Sequence, residues 1–164
     1  MDFRYLYTSF EGRINRKPFW IASLIMMGVA ILLTMVVIAP VGMMSAGLGT
    51  FLSLLMSLAF LYPIVALGVK RLHDRGKSGH LMAVFLAPGL LMQLGDLLGL
   101  TGTQQMIAGE VIHLPNMLGW ILILVSFGVA IWALVELGFL KGTAGANAYG
   151  PDPRSGMVAE PAAG

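Results

Sequence analysis

FWIASLIMMGVAILLTMVVIA, residues 19–39, holds eleven Ile, Leu, Val or Phe residues and no ionisable side chain. Each such residue favours the bilayer centre by roughly 0.3–0.6 kcal/mol, whereas a single Lys, Arg or Asp there costs about 3 kcal/mol. The surrounding sequence extends the pattern: no Asp, Glu, Lys, Arg or His occurs between Pro18 and Val69. A helix packed on a soluble core shows a polar stripe every few residues, and this run never does. At a rise of about 1.5 Å per residue, twenty residues cover the roughly 30 Å hydrocarbon layer. The stretch therefore reads as a membrane span, and it sets the class of the whole chain.

Working outward, Pro40 and the Gly-rich residues 42–49 predict a tight turn into a second span at residues 50–69. Pro63 predicts a kink there, and Ser53 and Ser57 offer a small-residue face to another helix. A third span is expected at residues 81–100, interrupted by Pro88-Gly89 and weakened by Gln93, Gly95, Asp96 and Gly99. Residues 101–115 then form a longer loop carrying Glu110 and His113, before a fourth span at 117–137 with Trp120 and Trp132 as interfacial anchors. The expected architecture is an all-α membrane protein, with four transmembrane helices in one domain over residues 1–153. Residues 154–164, rich in Gly, Ala and Pro, are expected to be a disordered tail.

Composition agrees: 57% of the 164 residues are hydrophobic and only 11% charged, against about a quarter charged in soluble domains. All ten Lys and Arg fall in three blocks, Arg4–Lys17, Lys70–Lys77 and Lys141–Arg154. With four spans, these blocks share one side, and the other two loops carry only Asp96 and Glu110. The positive-inside rule then places both termini in the cytoplasm, with the protein multi-pass in its membrane. The net charge of +2 reflects juxtamembrane bases that suit anionic lipid head groups, not nucleic acid. Cysteine is absent, which excludes a disulfide framework, a thiolate nucleophile and a Cys-type zinc site. The first apolar run exceeds the roughly 7–15 residues of a signal-peptide core, so an uncleaved span is expected.

Ahead of that span, Phe3, Leu6, Tyr7 and Phe10 repeat at i, i+3, i+4, i+7. One apolar helix face results, and an amphipathic helix lying at the interface is expected to lead into the first span through Gly12.

Three polar segments stand against the apolar background. They are Phe10-Glu11-Gly12-Arg13-Ile14-Asn15-Arg16-Lys17-Pro18-Phe19-Trp20, Lys70-Arg71-Leu72-His73-Asp74-Arg75-Gly76-Lys77-Ser78-Gly79, and Gly142 to Pro153 with its Asn147-Ala148-Tyr149-Gly150-Pro151-Asp152-Pro153 core. In this order and spacing the chain, from Phe10 to Pro153, resembles the bacterial inner-membrane family called domain of unknown function 805. That family pairs Gly-Arg-x-x-Arg-x-x-Phe-Trp with Arg-Leu-His-Asp-x-Gly-x-Ser-Gly and Asn-x-Tyr-Gly-Pro-Asp-Pro. This chain departs from it in beginning its loop with Lys70 and in placing His80-Leu81 after Ser-Gly. The resemblance implies an inner-membrane protein and carries no established activity.

The three segments are expected to meet at one membrane face. Arg13, Arg16, Arg71 and Arg75 offer planar donors suited to phosphate or carboxylate. Glu136, near the end of the fourth span, sits where the helix dipole disfavours a carboxylate, so an Arg partner is expected. His73, Asp74 and Tyr149 complete the candidate partner- or lipid-binding set. Two readings compete for it: salt bridges that staple the loops to the bundle, and a site for anionic lipid or a protein partner. His73-Asp74 alone provides too few ligands for a metal, so no catalytic residue, metal or cofactor is expected. The leading expectation is a non-enzymatic membrane module, possible as a homo-oligomer. The alternatives are a small transporter or channel using helices broken at Pro63 and Pro88, and an interfacial enzyme acting on a lipid-linked substrate through His73 and Asp74.

Overall fold

The charge-free run folds into two long helices in a computed structural model that describes residues 2–107 and 110–154. Among the described residues three helices are long and apolar enough to cross a membrane: Arg16–Met44, Gly47–Asp74 and Met117–Phe139. A shorter apolar helix spans Leu81–Leu97. The chain divides into two compact units, one of Met1–Gly79 with Leu137–Gly164 and the other of His80–Glu136.

In the first unit, α1 (Phe3–Thr8) starts at Asp2, whose carboxylate accepts from the Tyr5 N–H at 3.1 Å. The expected amphipathic helix is thus only six residues long, and Phe10 lies beyond its end. Its apolar face meets the chain itself: Leu6 is buried with Ile14, Ala22 and Leu67, flanked by Tyr7 and Phe19. Burying each of the larger of these aliphatic side chains favours the docked arrangement by roughly 1.5–3 kcal/mol. Tyr7 Oη donates to the Ala22 carbonyl at 3.0 Å and Tyr62 Oη to the Thr8 carbonyl at 2.8 Å, fixing the segment along its length.

Helix α2 (Arg16–Leu33) is capped by Asn15, whose side chain accepts from the Arg16 N–H. It does not stop at Pro40 as expected. A π turn over Thr34–Ile38 leads into α3 (Ala39–Met44), with Pro40 in the first turn. Proline lacks an N–H and crowds the carbonyl one turn back. The widened turn, in which the Ala39 N–H reaches the Thr34 carbonyl, accommodates the ring without ending the helix. The break falls at extended Ser45, which also caps α4 (Ala46–Asp74). Helix α4 runs on through Pro63. Ser53 Oγ bonds back to the Gly49 carbonyl at 2.9 Å, so its hydroxyl is satisfied within its own helix.

The second unit contains α5 (Leu81–Leu97), whose end is set by Gly99 at φ +68°. The Leu100 N–H bonds to the Gly95 carbonyl and the Gly99 N–H to the Asp96 carbonyl. Such paired bonds need a left-handed residue, which glycine supplies at least cost. This closure stops the helix three residues before the expected end. In place of the expected loop the backbone forms an antiparallel pair, β1 (Gly102–Ile107) with β2 (Glu110–Pro115), registered from Gly102 opposite Pro115 to Ile107 opposite Glu110. The Asn116 N–H donates to the Thr101 carbonyl, and Asn116 caps α6 (Met117–Ala133) by accepting from the Gly119 N–H. Phe85 meets Trp132 edge-on at 5.1 Å. A second π turn, Leu134–Phe139, carries the chain back into the first unit. The side chains of Glu110 and His113 and the expected tail beyond Arg154 lie outside the described residues.

Candidate functional site

The end of α4 positions the site. Gly76, at φ +70°, lets the Gly76 N–H reach the His73 carbonyl and the Lys77 N–H the Leu72 carbonyl. Closing the helix this way fixes Lys70, Arg71, His73 and Asp74 in its last turns, where residues three and four apart share a face. Lys70, Arg71 and Leu72 are fully buried and Asp74 is nearly so.

Asp74 is the hub. Its Oδ1 accepts from Arg13 Nη2 at 3.1 Å and from Arg13 Nε at 3.3 Å, while its Oδ2 pairs with Arg71 Nη1. The two guanidiniums are 1% and 0% exposed and the carboxylate 4%. Taking such charges out of water costs several kcal/mol each unless every lone pair and proton is matched. Arg13 meets that requirement with backbone as well as carboxylate. Its Nη1 donates to the Gly145 carbonyl at 2.7 Å and the Gly150 carbonyl at 3.2 Å, and its Nη2 to the Thr143 carbonyl at 2.7 Å.

The helix that carries α6 into the second π turn ends in carbonyls without intrahelical donors. Side chains from the other two motifs supply them in succession. Leu137 O accepts from Arg71 Nε at 2.7 Å, Gly138 O from Trp20 Nε1 at 3.1 Å and Phe139 O from Arg16 Nη1 at 3.1 Å. Leu140 O accepts from Arg71 Nη2 and Lys141 O from Arg75 Nη1. Cations at the negative end of a helix dipole are favourable in their own right, so spacing and charge agree.

The tail motif folds over this cluster. The Thr143 N–H donates to the Asp74 carbonyl at 2.8 Å, and Asn147 Nδ2 donates to the His73 carbonyl at 2.9 Å. Asn147 and Gly150 exchange backbone bonds in a tight turn, placing the Tyr149 ring 3.9 Å from the His73 ring and nearly parallel to it, at 5°. His73 Nδ1–H in turn donates to the Gly12 carbonyl at 3.2 Å. Asp152 accepts from the Gly145 N–H and from Arg154. The hydrogen bonds from the Arg154 side chain and backbone hold its carboxyl well below the usual carboxylate range. Removing the stacked ring in Tyr149→Ala is expected to cost about 0.5–1.5 kcal/mol, read as faster amide exchange at residues 143–150. Unchanged exchange there would show the stack to be incidental.

Of the eight candidates named from sequence, Arg13, Arg71, His73, Asp74 and Tyr149 are joined in this one network. Arg16 and Arg75 cap the helix end beside it, and Glu136 is buried in the second π turn. Lys70 was not among the candidates. Its Nζ donates to the carbonyls of Tyr5, Leu6 and Ser9 at 2.6, 2.7 and 2.6 Å, closing the end of α1, and stands 4.6 Å from the Tyr5 ring. Residues 9–12 contain no base to cap that short helix, which is the signal that points to a donor from elsewhere. Tyr5 Oη donates to the Glu11 carbonyl. Burial, assisted by the Glu11 charge, pushes its phenol up and keeps it a neutral donor.

Chemically, the cluster holds polar segments together with charge-assisted bonds. Beside it an open cavity of about 420 Å³ is lined by Asn15, Arg16, Lys17, Trp20, Gly138 and Phe139. Among the described residues no three His, Asp or Glu side chains converge as metal ligands do.

Comparison with known proteins places these motifs in a wider group. The chain is 28% identical over 153 residues to the inner membrane protein YhaI of Escherichia coli strain K12, covering 92% of this chain and 90% of the relative. It is 33% identical over 145 residues to the uncharacterized protein YiiR of the same strain, covering 88% and 85%. No solved structure matches it. The match to the family described as Protein of unknown function (DUF805) runs from residue 7 to 151, taking in the first two motifs and the third as far as Pro151. The chain, with its apolar spanning helices and interlocked polar segments, belongs to that family.

Proposed function

We propose that the protein is a non-enzymatic inner-membrane module with four crossings and both termini in the cytoplasm. On this reading its cytoplasmic face binds anionic lipid or a protein partner, with the buried cluster as the frame and the surrounding bases as the binding rim.

The parity of the contacts carries this reading. Asp74 is bonded to Thr143, and Arg71 to Leu137 and Leu140, which supports a chain that leaves and returns to one side of the bilayer between them. Such a return favours an even number of crossings. Met117–Phe139 supplies one, and α5 is then the other. At about 1.5 Å per residue its 17 residues fall a little short of the hydrocarbon thickness, a mismatch that local thinning of the bilayer accommodates at modest cost. Arg13 and Asp74 bracket two further candidate spans in the same way. All ten Lys and Arg then lie on one side, as the positive-inside rule favours for the cytoplasm.

The absence of cysteine makes a direct test simple. Lys141→Cys is expected to react with a membrane-impermeant maleimide only in inverted vesicles. Met106→Cys, in the exposed part of β1, is expected to react only from the opposite side. Labelling of both from one side would overturn the four-crossing reading. For the binding half, purified full-length protein is expected to retain acidic phospholipid above its share of the source membrane and to lose it at high salt. Lipid in bulk proportion with no co-purifying protein would refute it.

A further inference from the structure

The arginines of the cluster differ in what they leave available. Arg13 and Arg71 direct their donors to Asp74 and to backbone carbonyls, and both are buried. Arg16 is different. Among the described residues its guanidinium donates once, to the Phe139 carbonyl, and a guanidinium has five N–H groups. Lys17, next in the chain, is exposed. Both side chains line the cavity of about 420 Å³, which falls within the roughly 300–1,000 Å³ of small-molecule sites.

Besides Asn15, whose side chain accepts from the Arg16 N–H, the rest of the lining is Trp20, Gly138 and Phe139. Trp20 and Phe139 pack edge to face at 5.9 Å. The Trp20 N–H is already given to the Gly138 carbonyl, so the indole offers its ring rather than its donor. Two cations and two aromatic rings lining one cavity suit a group that is anionic at one end and greasy at the other. Location narrows the choice, because Arg16 is the first residue of the first candidate span, where a chain meets the boundary between head groups and acyl tails. Arg71 is paired with Asp74, so Arg16 and Lys17 are the cations that line the cavity, and their charge favours a net-anionic head group over a zwitterionic one.

We infer that the Arg16–Lys17–Trp20 cavity is a binding site for the phosphodiester of an anionic phospholipid, Arg16 and Lys17 holding the phosphate and Trp20 with Phe139 supporting the glycerol and upper chains. The inference rests on the lipid-binding half of the function proposed above and gives it a location and a ligand class. Charge-assisted bonds to phosphate from a planar fork and an ammonium are the strong kind.

Native mass spectrometry of the detergent-solubilised full chain, titrated with phosphatidylglycerol or with phosphatidylcholine of identical acyl chains, tests it. The intact protein is expected to bind phosphatidylglycerol in excess, and Arg16→Gln/Lys17→Gln to weaken that binding roughly tenfold, to the phosphatidylcholine level. Arg4→Gln/Lys141→Gln removes two exposed charges outside the cavity and is expected to leave the preference intact. Should the double variant lose its thermal transition, Lys17→Gln alone carries the test, since Lys17 is exposed and its loss is expected to weaken binding severalfold. Equal weakening by the Arg4/Lys141 pair would overturn the site and leave diffuse lipid binding standing. Absence of any phosphatidylglycerol preference in the intact protein would overturn both. Displacement of the lipid by millimolar inorganic phosphate at constant ionic strength would assign the cavity to a soluble anion and overturn the lipid site.

Discussion

Asp74→Asn is expected to destabilise the detergent-solubilised protein by about 3–5 kcal/mol, the range found when one member of a buried ion pair is removed. Asp74 gives one oxygen to Arg13 and the other to Arg71, with all three side chains at most 4% exposed. Asparagine retains one acceptor and turns an N–H₂ towards the second guanidinium, setting donor against donor in a site that excludes water. Thermal or denaturant unfolding followed by Trp fluorescence reads the loss. Replacing Arg71 as well, as in Asp74→Asn/Arg71→Met, is expected to recover part of it, because the buried uncompensated charge then falls from two guanidiniums to one. A single variant with wild-type stability would mean that Asp74 does not neutralise the cluster.

Arg13→Lys is expected to release the tail while leaving the spanning helices in place. Arg13 reaches three carbonyls of residues 143–150 and the Asp74 carboxylate from one planar fork. Lysine keeps the charge but offers three donors from a single nitrogen. At about 1.5–3 kcal/mol for a hydrogen bond to a charged group, losing even two would cost the tail about 3–6 kcal/mol. Limited proteolysis within residues 143–152 and amide exchange there are expected to speed up at least tenfold, with helical content by circular dichroism unchanged. Protection equal to wild type would show that the tail is held by Asn147 and Tyr149 without Arg13.

The membrane class and the three motifs were legible in the sequence for a physical reason: both depend on residues close to one another in the chain. A charge-free run is local, and so is the spacing of Gly12, Arg13, Arg16 and Trp20. Where the donors go is not local. Arg13 bonds to residues 61 and more positions away, and Arg71 to carbonyls 66 and 69 positions on. Backbone carbonyls carry no residue identity, so nothing in the amino-acid pattern marks Leu137, Leu140 or Gly145 as acceptors. For the same reason the sequence left stapling and ligand binding as open alternatives for the whole basic set. Buried geometry separates Arg13 and Arg71 from Arg16, which keeps donors available. The continuation of α2 past Pro40 was hidden because a π turn has no side-chain signature. The pairing of β1 with β2 was hidden because Gly102–Pro115 lacks the Asn-Gly or Asp-Gly signal of a two-residue hairpin.

The capped end of the last helix has a consequence for how the protein is made. Trp20, Arg16, Arg71 and Arg75 leave the ribosome long before the carbonyls of residues 137–141 that they will hold. Until those carbonyls are made, the side chains that cap them have no helix end to hold. Translation of the final stretch supplies the acceptors, so this clasp is the last part of the network that can close.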